Sequence, residues 1–521
     1  MQLWSPPVGL SAQEARFLSR LRNGKLYAFL REVRHEVFDE ATQQALMATY
    51  TARGSGKTPV PPALLAMVLV LQGALHVSDE EAVERATSDR RWQLVLGTFD
   101  DNEEAPFTKS TLYAFRERLI QHNLDVMLFD RVVAWARASK GYSHTALRAA
   151  FDSAPLRGAG RVEDTFNLLG HAVREVLRTV SDRTGRSIED VAHSAGIPLV
   201  VGSSLKASLD RDWDDPAQRK QALTVLLAQI DSLGKWLRAE CELTLAQPPL
   251  AEQWQTVERL IAQDTEPDPE GGGQGGRRIK RGVVAERQIS ITDPAMRHGR
   301  KSKSTRVDGY KRHLGTDLDT KLTVAVSLTR ANRPEGEGAE GLVGDVTRQE
   351  FSLQSAHVDR AYLEAPAFVA ARSSGMALYC KAFTLRNRGQ FTKADFTLDV
   401  AGGRIVCPAG EEQPLVIGRT AHFPASTCQG CALGMQCTRG KGGRSVTIHD
   451  DEPFLIELRA RQKTPEGRAE LRRRTAVEHS LAHLVQHQGH RARYRGERKN
   501  LFDLRRHAIV ENRFVAMADA A

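Results

Sequence analysis

The sequence predicts a mixed α/β chain: a helical N-terminal region, then a core sheet with flanking helices, interrupted by a long helical insert and a small cysteine-rich insert. Three observations predict it. Apolar and β-branched runs of strand length, ALRAAF at 146–151, TKLTVAVSLT at 320–329 and LQSAHV at 353–358, are spread among stretches of helical periodicity. Residues 165–265 carry apolar residues at helical spacing almost throughout. Four of the six cysteines crowd into 407–437. The 521 residues suit two to four domains, and a hydrophobic fraction of 41% allows sizeable cores.

Taken in order, residues 1–140 read as helices. Ser11 and Glu14 fit a capping box, Pro61 and Pro62 introduce the apolar helix 63–75, and Ser78 caps DEEAVERAT. Thr108 or Ser110 caps TLYAFRERLIQH, whose face carries Lys109, Arg116 and Arg118. A short helix at 79–88, a loop and this basic helix are compatible with a helix-turn-helix reader of DNA, but their spacing is too long for a tight turn, so the residues alone favour an ordinary bundle with a solvated charged face. Residues 141–164 hold the first core strand, expected over 141–152. The insert 165–265 contains Asp215 followed by Pro216, an N-cap and first-turn pair. The Pro- and Gly-rich run 266–282 reads as a linker. Residues 283–400 supply strands near 307–316 and 321–330, a helix near 336–350 and a strand ending at Asp359. Residues 401–450 form the cysteine-rich insert, and 451–521 return to the core with a helix and a basic tail.

Three acids stand out by context: Asp152 in AAFDSAPLRGAG, Asp359 in SAHVDRAYLEAP, and Glu478 in RRRTAVEHSLAHL. Two aspartates at strand ends and a glutamate on a helix suit a two-metal phosphodiester site, because magnesium takes hard oxygen ligands and keeps positions open for phosphate and water. Singly, each acid is more simply a cap or a surface residue. Together with DGYKRHLGTD, these segments occur in the order found in bacterial insertion-sequence transposases, and the chain resembles that family, the DDE transposases. The resemblance implies a ribonuclease-H-like core, Mg2+ (or Mn2+) held by Asp152, Asp359 and Glu478, and cleavage of DNA ends followed by strand transfer. It also implies double-stranded DNA as partner, a homo-oligomer on that DNA, and a DNA-binding role for residues 1–140. The family often carries a Tyr-Arg-Glu-Lys pattern around the glutamate. Here Arg474 holds the arginine place, while Leu471 and Val485 replace the tyrosine and lysine.

Other residues extend this reading. Lys311 and His313 share one face of a strand, as phosphate contacts or as ordinary edge residues. Arg474 is a candidate phosphate clamp. Cys407, Cys428, Cys431 and Cys437, spaced C-x20-C-x2-C-x5-C, suit a structural Zn2+ site, although only one CxxC is present. Cys241 and Cys380 read as buried thiols. His479, His483 and His487 fall on one helical face, as a DNA-facing stripe rather than a metal site. Arg491, Arg493 and Arg495, interleaved with Tyr494 and followed by Phe502, suit phosphate contact and base stacking; a solvated amphipathic helix is the alternative.

Bulk charge agrees. The 73 Lys+Arg exceed the 64 Asp+Glu, a net +9 that favours a polyanionic partner. MQLWSPPVGL lacks the pattern of a signal peptide, and ALLAMVLVL at 63–71 is too short to span a bilayer, so a cytoplasmic, nucleoid-associated protein is expected. Two rivals remain: a catalytically inactive, domesticated relative that only binds DNA, and a metal-dependent nuclease without strand transfer.

Overall fold

The computed structural model describes residues 1–22, 24–50, 58–99, 104–202, 204–269, 276–282, 284–302 and 304–519. Its centre is a mixed sheet of five main strands: β1 (Ala146–Arg157), β2 (Arg306–Asp317), β3 (Thr323–Arg330), β4 (Ser352–His357) and β5 (Ala377–Tyr379). The spatial order is β3-β2-β1-β4-β5. The first three run antiparallel, whereas β1–β4 and β4–β5 are parallel. A short strand, Arg297–Arg300, pairs with the start of β2.

β1 is longer than its apolar run predicts. Leu147 and Ala149–Phe151 are fully buried, as the pattern requires. The strand then continues past Asp152, because residues 153–157 pair with 309–313 of β2. Asp152 therefore lies mid-strand, opposite Leu314, rather than at the strand end. Gly309 makes this closure possible: at φ 149° it sits where a Cβ would fall 2.3 Å from the Gly158 nitrogen.

The expected N-terminal caps form, with Ser11 and Glu14 in a capping box and Ser78 and Thr108 each accepting a backbone N–H. Helix α1 (Pro62–Leu75) is apolar all round and buried accordingly. A further helix, Arg90–Leu96, stands between 79–88 and α2 (Lys109–Gln121), which departs from a two-helix reader. After β3 come α3 (Gly338–Arg348), then α4 (Thr475–Gln488) and α5 (Glu497–Asp519) near the C-terminus. α5 packs on α1, on helix Leu124–Ser139 and on β3. Its Asn512 amide exchanges two hydrogen bonds with the Thr323 backbone, at 2.7 and 2.8 Å. One hydrophobic core thus runs from the N-terminal helices into the sheet.

The helical insert has its own core, built around Phe166, Val173, Leu226 and Leu260. Its first and last residues meet, since the Thr165 hydroxyl donates to Asp264 at 2.8 Å. The expected linker is ordered at both flanks: Thr265–Pro267 pairs antiparallel with Arg277–Ile279. Residues 270–275 of that linker lie outside the described residues. Among the described residues, no single helix is long and apolar enough to cross a membrane.

Candidate active site

Three distant segments bring acids together beside the middle of β1. Asp152 projects from mid-strand, with its side chain 17% exposed. The Ser153 backbone N–H donates to its Oδ1 at 2.8 Å. Glu478 lies in the first turn of α4. Between them stands Arg474, which donates to Asp152 Oδ2 at 2.6 Å and to Glu478 Oε1. Asp359 follows β4 by two residues, opens the turn Arg360–Tyr362 and is exposed. Its charge reaches Asp152. Burial raises the Asp152 carboxyl above the usual aspartate range, and Asp359 adds to the rise against the opposing pull of Arg474 and the Ser153 N–H. Among the described residues, no three metal-ligating side chains stand ready to hold an ion.

A fourth acid shares this cleft. Glu335 opens a single turn, Glu335–Glu337, after β3. Burial raises its pKa, Lys311 and a hydrogen bond with Ser153 oppose the rise, and Asp152 and Asp359 add to it. Two glycines set this turn close. A Cβ on Gly336 would lie 3.1 Å from the Ala361 carbonyl, and one on Gly338 would strike the His313 ring at 2.5 Å. The sequence reading passed over Glu335, although NRPEGEG offers the same signal as Asp359, an acid just beyond a strand.

Several expected DNA contacts have other partners. Arg116 is 4% exposed and donates to Asp79 at 2.6 and 3.0 Å, so this helix face is packed, not solvated. Arg118 lies 3.9 Å from the centre of the Tyr50 ring. His313 is fully buried between the Tyr362 hydroxyl at 2.6 Å and Thr329 at 2.9 Å, which removes it from any phosphate. Lys311 donates to the Arg333 carbonyl at 2.6 Å, and burial lowers its pKa. Arg493 bonds the Val77 carbonyl and stands 3.5 Å from Asp79. Phe502 is buried with Tyr494 packed on it, so these aromatics form core rather than a stacking platform. His487 is half-buried, 3.3 Å from Glu511 and stacked on His76, which takes it out of the expected stripe. Lys109 is exposed and 3.3 Å from Glu80. Arg491 and Arg495 are exposed, the former donating to the Ala159 carbonyl.

The four clustered cysteines line one cavity of about 370 Å³ with Phe391, Phe423 and Arg444. The Glu411 N–H donates to Cys407 Sγ at 3.3 Å. Burial pushes the Cys437 thiol up, and the other three sulfurs add to this. They share a pocket but do not close on a common point. Cys380 is buried as expected, and that burial, with Asp359 adding to it, pushes its thiol up to about 12; Cys241 is only half-buried.

Comparison with known proteins bears on the same regions. A family model described as a transposase DDE domain matches residues 406–512, which include the cysteine segment, Arg474 and Glu478. A second, described as transposase domain (DUF772), matches residues 17–118. Together the two matches support an insertion-sequence DDE transposase. Comparisons with curated proteins and with solved structures give no match. The chain thus carries both domain signatures, on either side of β1 and its aspartate.

Proposed function

We propose that this transposase cuts DNA at element ends and joins the freed ends to target DNA, using Asp152, Asp359 and Glu478. The observation that carries the reading is the Arg474 bridge: it holds acids 326 positions apart in one cleft, with Asp359 in electrostatic reach. The strand order β3-β2-β1-β4-β5, antiparallel then parallel, supports a ribonuclease-H-like core. The donor set fits a hard divalent ion, because carboxylates gather beside a single guanidinium and repel one another without a cation. Magnesium or manganese, when bound, would activate the attacking oxygen and stabilise the leaving one. Asp152 and Asp359 would hold both ions, and Glu478 would complete one shell. Asp152 is the best fixed of the three, since its strand pairs on both edges.

Double-stranded DNA is the substrate, met first by the basic residues that remain accessible: Lys109, Arg491, Arg493, Arg495 and, beside the acids, Arg474. We place the protein in the bacterial cytoplasm, on the nucleoid, as a homo-oligomer on DNA. Cys407, Cys428, Cys431 and Cys437 would hold one structural zinc ion, since their subdomain has a core of only a few side chains. Metal analysis of reduced protein should find about one zinc per chain, lost in the Cys428→Ser/Cys431→Ser variant; no zinc in the wild type sinks that assignment.

The test of the main reading is a magnesium-dependent cleavage and strand-transfer assay beside a gel shift. Asp152→Ala should abolish both reactions and leave DNA binding largely intact, because affinity comes from Lys and Arg on phosphates. A wild type that cuts but never joins is a nuclease, and one that binds but never cuts is an inactive relative. An Asp152→Ala protein that still cuts ends the triad assignment.

A further inference from the structure

Arg474 stands at the break between helix Pro465–Arg472 and α4, one residue before α4 begins. Its side chain is 25% exposed, and its two terminal nitrogens go to two different carboxylates, Asp152 and Glu478. A guanidinium fork suits carboxylate and phosphate alike, and two charge-assisted bonds to it are strong. Its chain neighbours Arg472 and Arg473 are basic and exposed, Arg473 standing 3.1 Å from Glu470. On the other side, Asp359 and Glu335 add negative charge, so the cleft holds more acid than one arginine balances.

We propose that Arg474 is the positioning residue of this cleft: in the metal-free protein its guanidinium supplies the positive charge between Asp152 and Glu478, and it is withdrawn when a phosphate of bound duplex DNA takes it, so that DNA binding and divalent-metal loading favour each other. This rests on the reading of Asp152, Asp359 and Glu478 as metal ligands. A metal ion entering the DNA-free protein competes with both Arg474 bonds; once the guanidinium has moved to a phosphate, that competition is gone. The coupling is reciprocal by thermodynamic necessity, so metal also tightens DNA binding by the same factor. Such a device keeps the acids together, yet poorly loaded, until DNA is present.

The experiment is a Mn2+ titration of the full chain, read as free Mn2+ by electron paramagnetic resonance, with and without a blunt 20-base-pair duplex. Wild type, Arg474→Gln, Arg474→Lys and Asp152→Asn are compared, with circular dichroism confirming that each is folded. For the wild type the duplex should tighten Mn2+ binding by about 5- to 150-fold, the usual range of such couplings. Arg474→Gln should bind Mn2+ more tightly than wild type without DNA, and the duplex should then add much less. Arg474→Lys, which keeps the charge, should stay close to wild type without DNA. If Arg474→Gln binds Mn2+ no tighter than wild type, or keeps the full effect of the duplex, the proposal is overturned while the metal reading stands. If Asp152→Asn binds Mn2+ as wild type does, the metal reading itself is wrong and the proposal falls with it.

Discussion

Replacing Arg116 by alanine should loosen the N-terminal helices and leave DNA binding alone. The side chain is 5% exposed, and both bonds to Asp79, itself 16% exposed, are short. Removing one partner of a buried ion pair costs roughly 3–5 kcal/mol, mostly because the other charge is left without compensation. Asp79 keeps part of its compensation: Gln72 donates to it at 2.7 Å and Arg493 lies 3.5 Å away. The cost therefore falls at the low end, about 3 kcal/mol, or roughly a hundredfold in the local opening equilibrium. Amide hydrogen exchange over α1, the helix Asp79–Ser88 and α2 should speed up by that factor. A gel shift over a range of salt should show the wild-type slope. The opposite pattern, unchanged exchange with a slope reduced by about one, would mean that Arg116 neutralises a phosphate after all.

Glu511 lies on α5 with its carboxyl raised by burial to about 7, so the folded protein keeps a proton that the unfolded chain releases near 4.5. Folded stability should fall as pH rises from about 4.5 to about 7, and Glu511→Gln should gain up to about 3 kcal/mol over wild type at pH 8 and nothing at pH 4, measured by urea unfolding. His507, lowered to about 3, and His357, lowered to about 4, both by burial, act in the other sense: they stay neutral in the fold and take up protons on unfolding below 6.5. Their stabilisation is complete above pH 6.5 and drains away on acidification, so both substitutions to glutamine should flatten the acid limb of the stability curve; an unchanged limb refutes their neutral burial. Glu335→Gln should weaken Mn2+ binding by about tenfold with DNA affinity unchanged, as losing a carboxylate beside an ion does; equal Mn2+ affinity would remove Glu335 from the site.

Much of the architecture was legible because it depends on local patterns. TKLTVAVSLT could hardly be other than a strand, and Ser11, Ser78, Thr108 and Asp215 each name a helix start through a side chain that reaches only its own backbone. The three acids were legible as candidates from their flanking words. What the sequence could not convey is what a cation faces across the fold. Arg116 reads as a surface charge until Asp79, 37 positions earlier, closes on it. His313 lies two residues from Lys311 on the same strand face, and only the Tyr362 hydroxyl shows that its ring points into the core. Glu335 was missed because a short turn held by two glycines, not a strand or helix pattern, carries it to the cleft. The end of β1 was misplaced because its second half owes its extension to β2, more than 150 residues later.

The meeting of Thr165 and Asp264 bears on how the chain reaches its native state. β1 and β2 are neighbours in the sheet, but about 150 residues separate them in the chain, most of them the helical insert. An insert that collapses on its own core first shortens the loop still to be closed to about 50 residues, which lowers the closure entropy by about 1 kcal/mol. Local helix contacts form faster than distant strand pairs. The detour between the two central strands is thus largely folded away before they must find each other, and the cleft holding Asp152 is assembled around a gap that the chain has already spanned.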